Sequence, residues 1–137
     1  MSIFQVKNLG QVFTPDDMVK KMLKMRENSG SILEPSVGSG AFWSKIKGER
    51  NSTGVEIDSN WCPDDVINQD FFSFYKGAKK YDTIIGNPPY VAYKEITKDT
   101  KNLLENLYPE HAKRTNLYIF FIDACLELLE QGGELIF

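Results

Sequence analysis

Residues 33–42, LEPSVGSGAF, run from an apolar start into an acid, a proline and two closely spaced glycines. A short apolar run that ends in such a turn reads as strand, tight loop and helix, because glycine lets the backbone fold sharply and approach a ligand. Outward from this unit, strands are predicted near Ser31–Glu34, Ser52–Glu56, Asp65–Asn68, Tyr81–Gly86 and Glu134–Phe137. Helices are predicted over Ala41–Lys47, Lys98–Leu107 and Leu117–Glu130, the last stopping at Gly132 and Gly133. An earlier helix has Thr14 as its N-cap and Pro15 at its first position, with Met18, Val19, Met22 and Leu23 at helical spacing. The connection from Glu56 to Asp65 leaves room for only a turn or two of helix. Strand alternating with helix, without repeats, predicts one α/β domain around a mainly parallel sheet.

At 137 residues, 42% of them hydrophobic, the chain is long enough to bury a real core. A net charge of −3 and a pI near 5.2 give no general basic footprint for nucleic acid, so such a partner has to be met locally or by other residues. The longest apolar stretch, Leu117–Leu129, is broken by Asp123 and Glu127, and no basic-then-apolar leader precedes it. The expectation is a cytoplasmic protein without a membrane span. Cys62 and Cys125 stand far apart, with His111 the single histidine, so free thiols are expected rather than a metal site.

The strand ends carry the chemistry. A dinucleotide-binding loop wants a small residue where Trp43 stands, and no carboxylate such as Glu34 beside a pyrophosphate. An acid at that position suits a cationic ligand. GVEID places Glu56 where a carboxylate accepts from both hydroxyls of a ribose, and NQDFF places Asp70 to accept from an adenine amine, with Phe71 packed on the ring. Taken singly, Glu56 and Asp70 also read as solvated strand ends, and Phe71 and Phe121 as core. What favours a cleft is that Glu34, Glu56, Asp70 and Phe71 fall at the carboxyl ends of successive strands, the acids describing an adenosine with a positively charged tail, as in S-adenosylmethionine.

In IIGNPPYVAY, residues 84–93, a buried strand ends at Gly86, and Pro88 and Pro89 hold Asn87 on a stiff stalk. An exocyclic amine of adenine or cytosine is a poor nucleophile because its lone pair is delocalised into the ring. If the Asn87 side-chain oxygen and the Pro88 carbonyl each accept one of its N–H groups, the nitrogen is drawn towards tetrahedral geometry. Tyr90 offers a face for an extruded base. A tight polar turn is the plainer reading of the same four residues.

These motifs resemble the gamma group of amino-group DNA methyltransferases of restriction-modification systems, those that make N6-methyladenine. The likeness runs through GQVFTP, LEPSVGSGAF, GVEID, NQDFF, GNPPY, NLYIFFIDACLELL and GGELIF. It implies a Rossmann-like class I S-adenosylmethionine-dependent methyltransferase fold over residues 1–137, incomplete at its C-terminal side. It implies Thr14, Glu34, Glu56, Ile57, Asp70, Phe71 and Phe121 in the cofactor pocket, together with the Pro35, Gly38 and Gly40 of the glycine loop. Asn87, Pro88, Pro89 and Tyr90 become the catalytic motif. NPPY also occurs in glutamine and ribosomal RNA methyltransferases, which stay as alternatives, as does a cofactor-binding fragment that needs a partner chain. GQVFTP just ahead of the glycine loop favours DNA. Members of the group continue beyond the point matching Phe137, with further strands, a second aromatic wall for the base and a DNA-reading domain. DNA contact is therefore expected through such a region or a partner chain, and an exposed sheet edge invites self-association. Residues 94–114 carry five basic and four acidic side chains, too balanced for a strong phosphate anchor.

Overall fold

The computed structural model describes residues 14–110 and 115–137. Strands β1 (Ile32–Glu34), β2 (Ser52–Glu56), β3 (Ile67–Asn68), β4 (Tyr81–Ile85) and β5 (Leu129–Ile136) form one sheet in the order β3-β2-β1-β4-β5. Every neighbouring pair is parallel, as the alternation of strand and helix predicts. Around the sheet lie α1 (Asp16–Lys24), α2 (Trp43–Ile46), α3 (Phe71–Tyr75), a 3-10 turn at Tyr93–Glu95, α4 (Lys98–Leu107) and α5 (Leu117–Glu127).

The period of two along each strand sorts neighbouring residues onto opposite faces. Leu33, Val55 and Ile84 join Phe71, Phe72, Leu104, Phe120, Phe121, Ala124 and Cys125, contributed by α3, α4 and α5. Their neighbours Ile32 and Ile85 join Val19, Trp43 and Ile46, contributed by α1 and α2. The sheet is thus covered on both sides, the condition under which parallel strands are stable. Phe72, Ile84 and Ile85 are at most 1% exposed, and deleting a ring such as Phe72 typically costs about 3–5 kcal/mol.

Several boundaries differ from the sequence expectation, and at Thr14 and at Leu128 a long-range partner displaces a local one. Thr14 does not cap α1: Pro15 occupies the N-cap position with no side-chain cap, its carbonyl accepting from the Val19 amide. The Thr14 hydroxyl instead accepts from Asn87 Nδ2 at 3.3 Å. The run expected as helix through Glu130 stops at Glu127, because the Leu128 carbonyl is taken by the Tyr81 amide at 2.7 Å and the chain enters β5. The predicted strand at Glu134–Phe137 is the regular end of that longer β5. Between Tyr81↔Leu129 and Thr83↔Glu134 the intervening residues loop out as a bulge, where Gly132 takes φ +80°. The helix expected over Ala41–Lys47 shortens to Trp43–Ile46, whereas the segment after β2 makes a single turn closed by Cys62 N–H on the Asp58 carbonyl, as its short length predicts. Helix α3 was not foreseen; Asp70 starts it by accepting from the Phe72 amide at 2.9 Å.

The bulge returns Glu134 to the loop ahead of β1. Its carboxylate accepts from the backbone N–H groups of Glu27 (2.9 Å) and Asn28 (3.0 Å), from the Asn28 side-chain amide and from the Thr83 hydroxyl (3.0 Å). Partial burial raises its pKa, but the hydrogen bonds from Asn28, Glu27 and Thr83, helped by the charge of Arg26, hold it below the ordinary glutamate value of 4.5. A depressed carboxyl contributes stability above its unfolded value and loses it as pH falls through its folded one. Glu134→Ala should therefore cost about 1–2 kcal/mol at neutral pH, allowing for partial solvent screening. In urea titrations the gap from wild type should be constant above about pH 5.5 and shrink as pH drops below the ordinary glutamate range. A gap that does not change with pH would show that the lost contact is not electrostatic.

Candidate functional site

The loop leaving β1 is built as its glycines predict: Gly38 takes φ +58° and Gly40 φ +85°, a region that a side chain disfavours. Glu56, 2% exposed, fastens this loop to the end of β2. One carboxylate oxygen accepts from the Gly38 amide and the other from the Asp58 amide, both at 2.8 Å. Burial raises the Glu56 pKa, and the Asp58 and Gly38 amides oppose that rise. Trp43, which argued against a dinucleotide loop, is buried with its indole N–H on Asp65 at 3.1 Å. Its ring lies over Gly54, where an added Cβ would come within 2.9 Å of it, so β2 admits no side chain there.

Glu34 is 1% exposed, and its Oε1 has no hydrogen-bond partner among the described residues. Burial first, and the neighbouring Glu56 second, push its carboxyl well above the ordinary range, with the Trp43 amide pulling the other way. A buried carboxyl left unsatisfied at the carboxyl edge of a parallel sheet is costly to the fold and suits a cationic ligand. It adjoins the start of the Asn87 loop: a Cβ on Gly86 would lie 3.5 Å from Glu34 Cγ.

Beside these strand ends opens a cleft of about 610 Å3, counting its mouth. Pro35, Glu56, Ile57, Asp70, Phe71, Phe121 and Pro89, all singled out from sequence, line it. Phe71 and Phe121 stack at 4.8 Å with 20° between their planes, and Phe72 meets Phe121 edge-on at 5.1 Å. The opposite wall comes from the segment after the asparagine loop, through Val91, Glu95, Ile96, Thr97 and Thr100. Asp70, besides capping α3, accepts from the Thr100 hydroxyl at 2.6 Å.

Thr14, Glu34, Gly38, Gly40, Asn87, Pro88 and Tyr90 stand outside that lining. Glu34 and Asn87 sit at the adjoining ends of β1 and β4, and Asn87 carries the contact to Thr14. Of GQVFTP, only Thr14 and Pro15 fall among the described residues, and His111, Lys113 and Arg114 lie outside them. Pro88 is buried and Tyr90 is 52% exposed, with Tyr118 at 5.2 Å and 47° to its ring. An aromatic neighbour for Tyr90 was thus not foreseen within this chain. Asn116 sets it in place: its Oδ1 accepts from the Val91 and Tyr118 amides, both at 3.2 Å, while Leu117 N–H donates to the Val91 carbonyl at 2.9 Å. Thr97, Thr100 and Asn116 were missed as site residues. Thr97 and Asn116 carry the ordinary signal of helix N-caps, but nothing local ties Thr100 to an acid 30 positions earlier.

Among the described residues no group of three or more His, Cys, Asp or Glu side chains is disposed to hold a metal, and no helix is long and apolar enough to cross a membrane. Cys62 and Cys125 are free thiols.

Several curated relatives align with nearly the entire chain. The type II methyltransferase M.HincII of Haemophilus influenzae is 40% identical over 95% of this chain and 27% of its own length. The type II methyltransferase M.TthHB8I of Thermus thermophilus is 30% identical over 96% of this chain and 34% of its own. The chain therefore spans about a quarter to a third of the length of these relatives. Among solved structures, one from Listeria monocytogenes described as a class I S-adenosylmethionine-dependent methyltransferase superposes with a TM-score of 0.66 at 18% identity. It covers 93% of this chain and 46% of that one, and so matches the fold. With the family model described as Eco57I restriction-modification methylase matching residues 22–137, the chain belongs to the Eco57I restriction-modification methylase family.

Proposed function

We propose that this chain is the cofactor-binding and catalytic-motif part of a DNA methyltransferase that transfers a methyl group from S-adenosylmethionine to N6 of an adenine turned out of the duplex. The observation that carries the reading is the meeting of two features at the boundary between β1 and β4. One is the buried, unsatisfied Glu34 beside a cleft of acids and stacked rings; the other is Asn87 on its proline stalk. Membership in a restriction-modification methylase family supports DNA as the substrate.

The donor set fits such a cofactor. Glu56 and Asp70 keep acceptor capacity beyond the backbone and hydroxyl donors they hold, which suits a ribose and an amine, and Glu34 suits a positive charge. When bound, the cofactor supplies an electrophilic methyl group. Asn87 and Pro88 would receive the two N–H groups of the target amine through carbonyl oxygens, stabilising the positive charge that grows on nitrogen. The Thr14 hydroxyl takes an N–H of the Asn87 amide, committing its nitrogen and so orienting its oxygen. Tyr90, half exposed, gives the base a stacking face.

Calorimetric titration should show S-adenosylmethionine or S-adenosylhomocysteine bound in preference to NAD, because acids rather than phosphate-binding groups line the strand ends. Comparable binding of NAD would overturn the cofactor reading.

Glu34→Gln should have opposite effects on folding and binding. A carboxyl whose folded pKa is raised costs stability as pH climbs from the ordinary value of 4.5 through the raised one, whereas glutamine carries no such dependence. The variant should match wild type in acid, exceed it in stability at neutral pH, and bind S-adenosylmethionine about 10-fold more weakly or worse. Unchanged affinity would remove Glu34 from the site.

Asn87→Ala is to be assayed in a polypeptide carrying this chain together with the additional length its relatives have. Cofactor binding should persist while single-turnover transfer to duplex DNA falls by about 100-fold to 1,000-fold. Near-normal transfer would make Asn87 structural, and transfer to a glutamine peptide instead of DNA would redirect the substrate.

A further inference from the structure

Asp70 is held from two sides. Its Oδ1 accepts from the Phe72 amide at 2.9 Å, on α3, and its Oδ2 accepts from Thr100 Oγ1 at 2.6 Å, on α4. Thr100 is 6% exposed and lines the cleft beside Asp70. A carboxylate only accepts, so the one hydroxyl proton of Thr100 points at Asp70. The proton between Thr100 Oγ1 and Thr97 Oγ1, 3.1 Å apart, then belongs to Thr97. Thr97 Oγ1 in turn accepts from the Thr100 amide at 3.4 Å, as the N-cap of α4. The hydroxyl protons thus run one way, from Thr97 through Thr100 to Asp70, and together with the Phe72 amide on Oδ1 they fix the plane of the carboxylate.

That plane has a chemical consequence for whatever ring meets Asp70. An oxygen with two in-plane acceptor directions, one of them filled by Thr100, offers a single remaining direction. A 6-aminopurine meets it with its exocyclic N–H. A 6-oxopurine presents a carbonyl at that position, which repels a carboxylate, and its only nearby donor, the ring N1–H, is displaced to one side. A carboxylate free to swing would reach that N1–H, whereas a clamped one does not.

We infer that Thr100 is a positioning residue that locks Asp70 as the reader of the exocyclic amine and so sets the preference for an adenine over a hypoxanthine ring in the cofactor. The inference rests on the cofactor reading above and adds a residue on the far wall of the cleft. A purely structural threonine at the start of α4 would affect both rings alike; a clamp affects their ratio.

The test titrates S-adenosylhomocysteine and S-inosylhomocysteine into the wild-type chain and into Thr100→Val, Thr100→Ala and Thr100→Ser, with thermal melts alongside. The 6-amino to 6-oxo affinity ratio should fall about tenfold in Thr100→Val, chiefly through improved binding of the 6-oxo ligand relative to the other, and stay within about twofold of wild type in Thr100→Ser. Asp70→Asn, which replaces one acceptor with a donor, should lower the ratio as well. If the isosteric valine does not fold, Thr100→Ala gives the same reading without a branched side chain at that place. Equal weakening of both ligands, or an unchanged ratio, would overturn the clamp while leaving the cofactor site standing. A wild-type chain that binds neither ligand would overturn both.

Discussion

The parallel pairing of β1 with β4 is the constraint on which the site depends. Ile32 pairs with Thr83 and Leu33 with Ile84, so the strands stop side by side and the chain leaves them in opposite directions across the sheet. One exit is the Glu34 to Gly40 loop, the other Gly86 to Tyr90. Strand order reverses here, with β2 and β3 on one flank and β5 on the other, and open α/β sheets form their binding crevices at such a reversal. Because β1 is buried along its length and β4 nearly so, a one-residue slip would exchange the Phe72 and Trp43 faces of the core. Packing therefore holds Glu34 beside Gly86.

The polar groups at these strand ends divide their capacity between the fold and a ligand. Glu56 holds two backbone amides, Asp70 starts α3 and takes the Thr100 hydroxyl, and Asn116 joins the Asn87 loop to α5. Each is already oriented before any ligand arrives, which lowers the entropy lost on binding. Glu34 differs from these three: its buried Oε1 has nothing to accept from among the described residues, and the fold tolerates that cost at the place where a positive charge is proposed to bind.

The site also joins distant parts of the chain. Thr14 reaches Asn87 across 73 positions, and Thr100 reaches Asp70 across 30. The wall containing Thr97 and Thr100 follows from the stiff Pro88-Pro89 turn, so a residue proposed to meet the substrate and a wall of the cleft share one segment. Tyr118 beside Tyr90 extends the pattern: the first turn of α5 supplies a ring against the tyrosine that follows the two prolines.

The sequence alone determined what depends on local spacing. Alternating strand and helix signals specified a parallel α/β sheet, the Gly38 and Gly40 turn specified a sharp loop, and the residues Glu34, Glu56 and Asn87 marked the strand ends, because residue type and short-range order suffice for those features. Only the tertiary structure decided where competing partners win. Thr14 has the signature of a cap and bonds to Asn87 instead; Leu128 to Glu130 have a helical pattern, yet Tyr81 captures the Leu128 carbonyl and draws the chain into β5. Asp70 reads as a strand end and is a helix cap clamped by Thr100. A hydrogen-bonding group has limited capacity, and the partner that fills it is set by which segments the core brings within reach, not by neighbours along the chain.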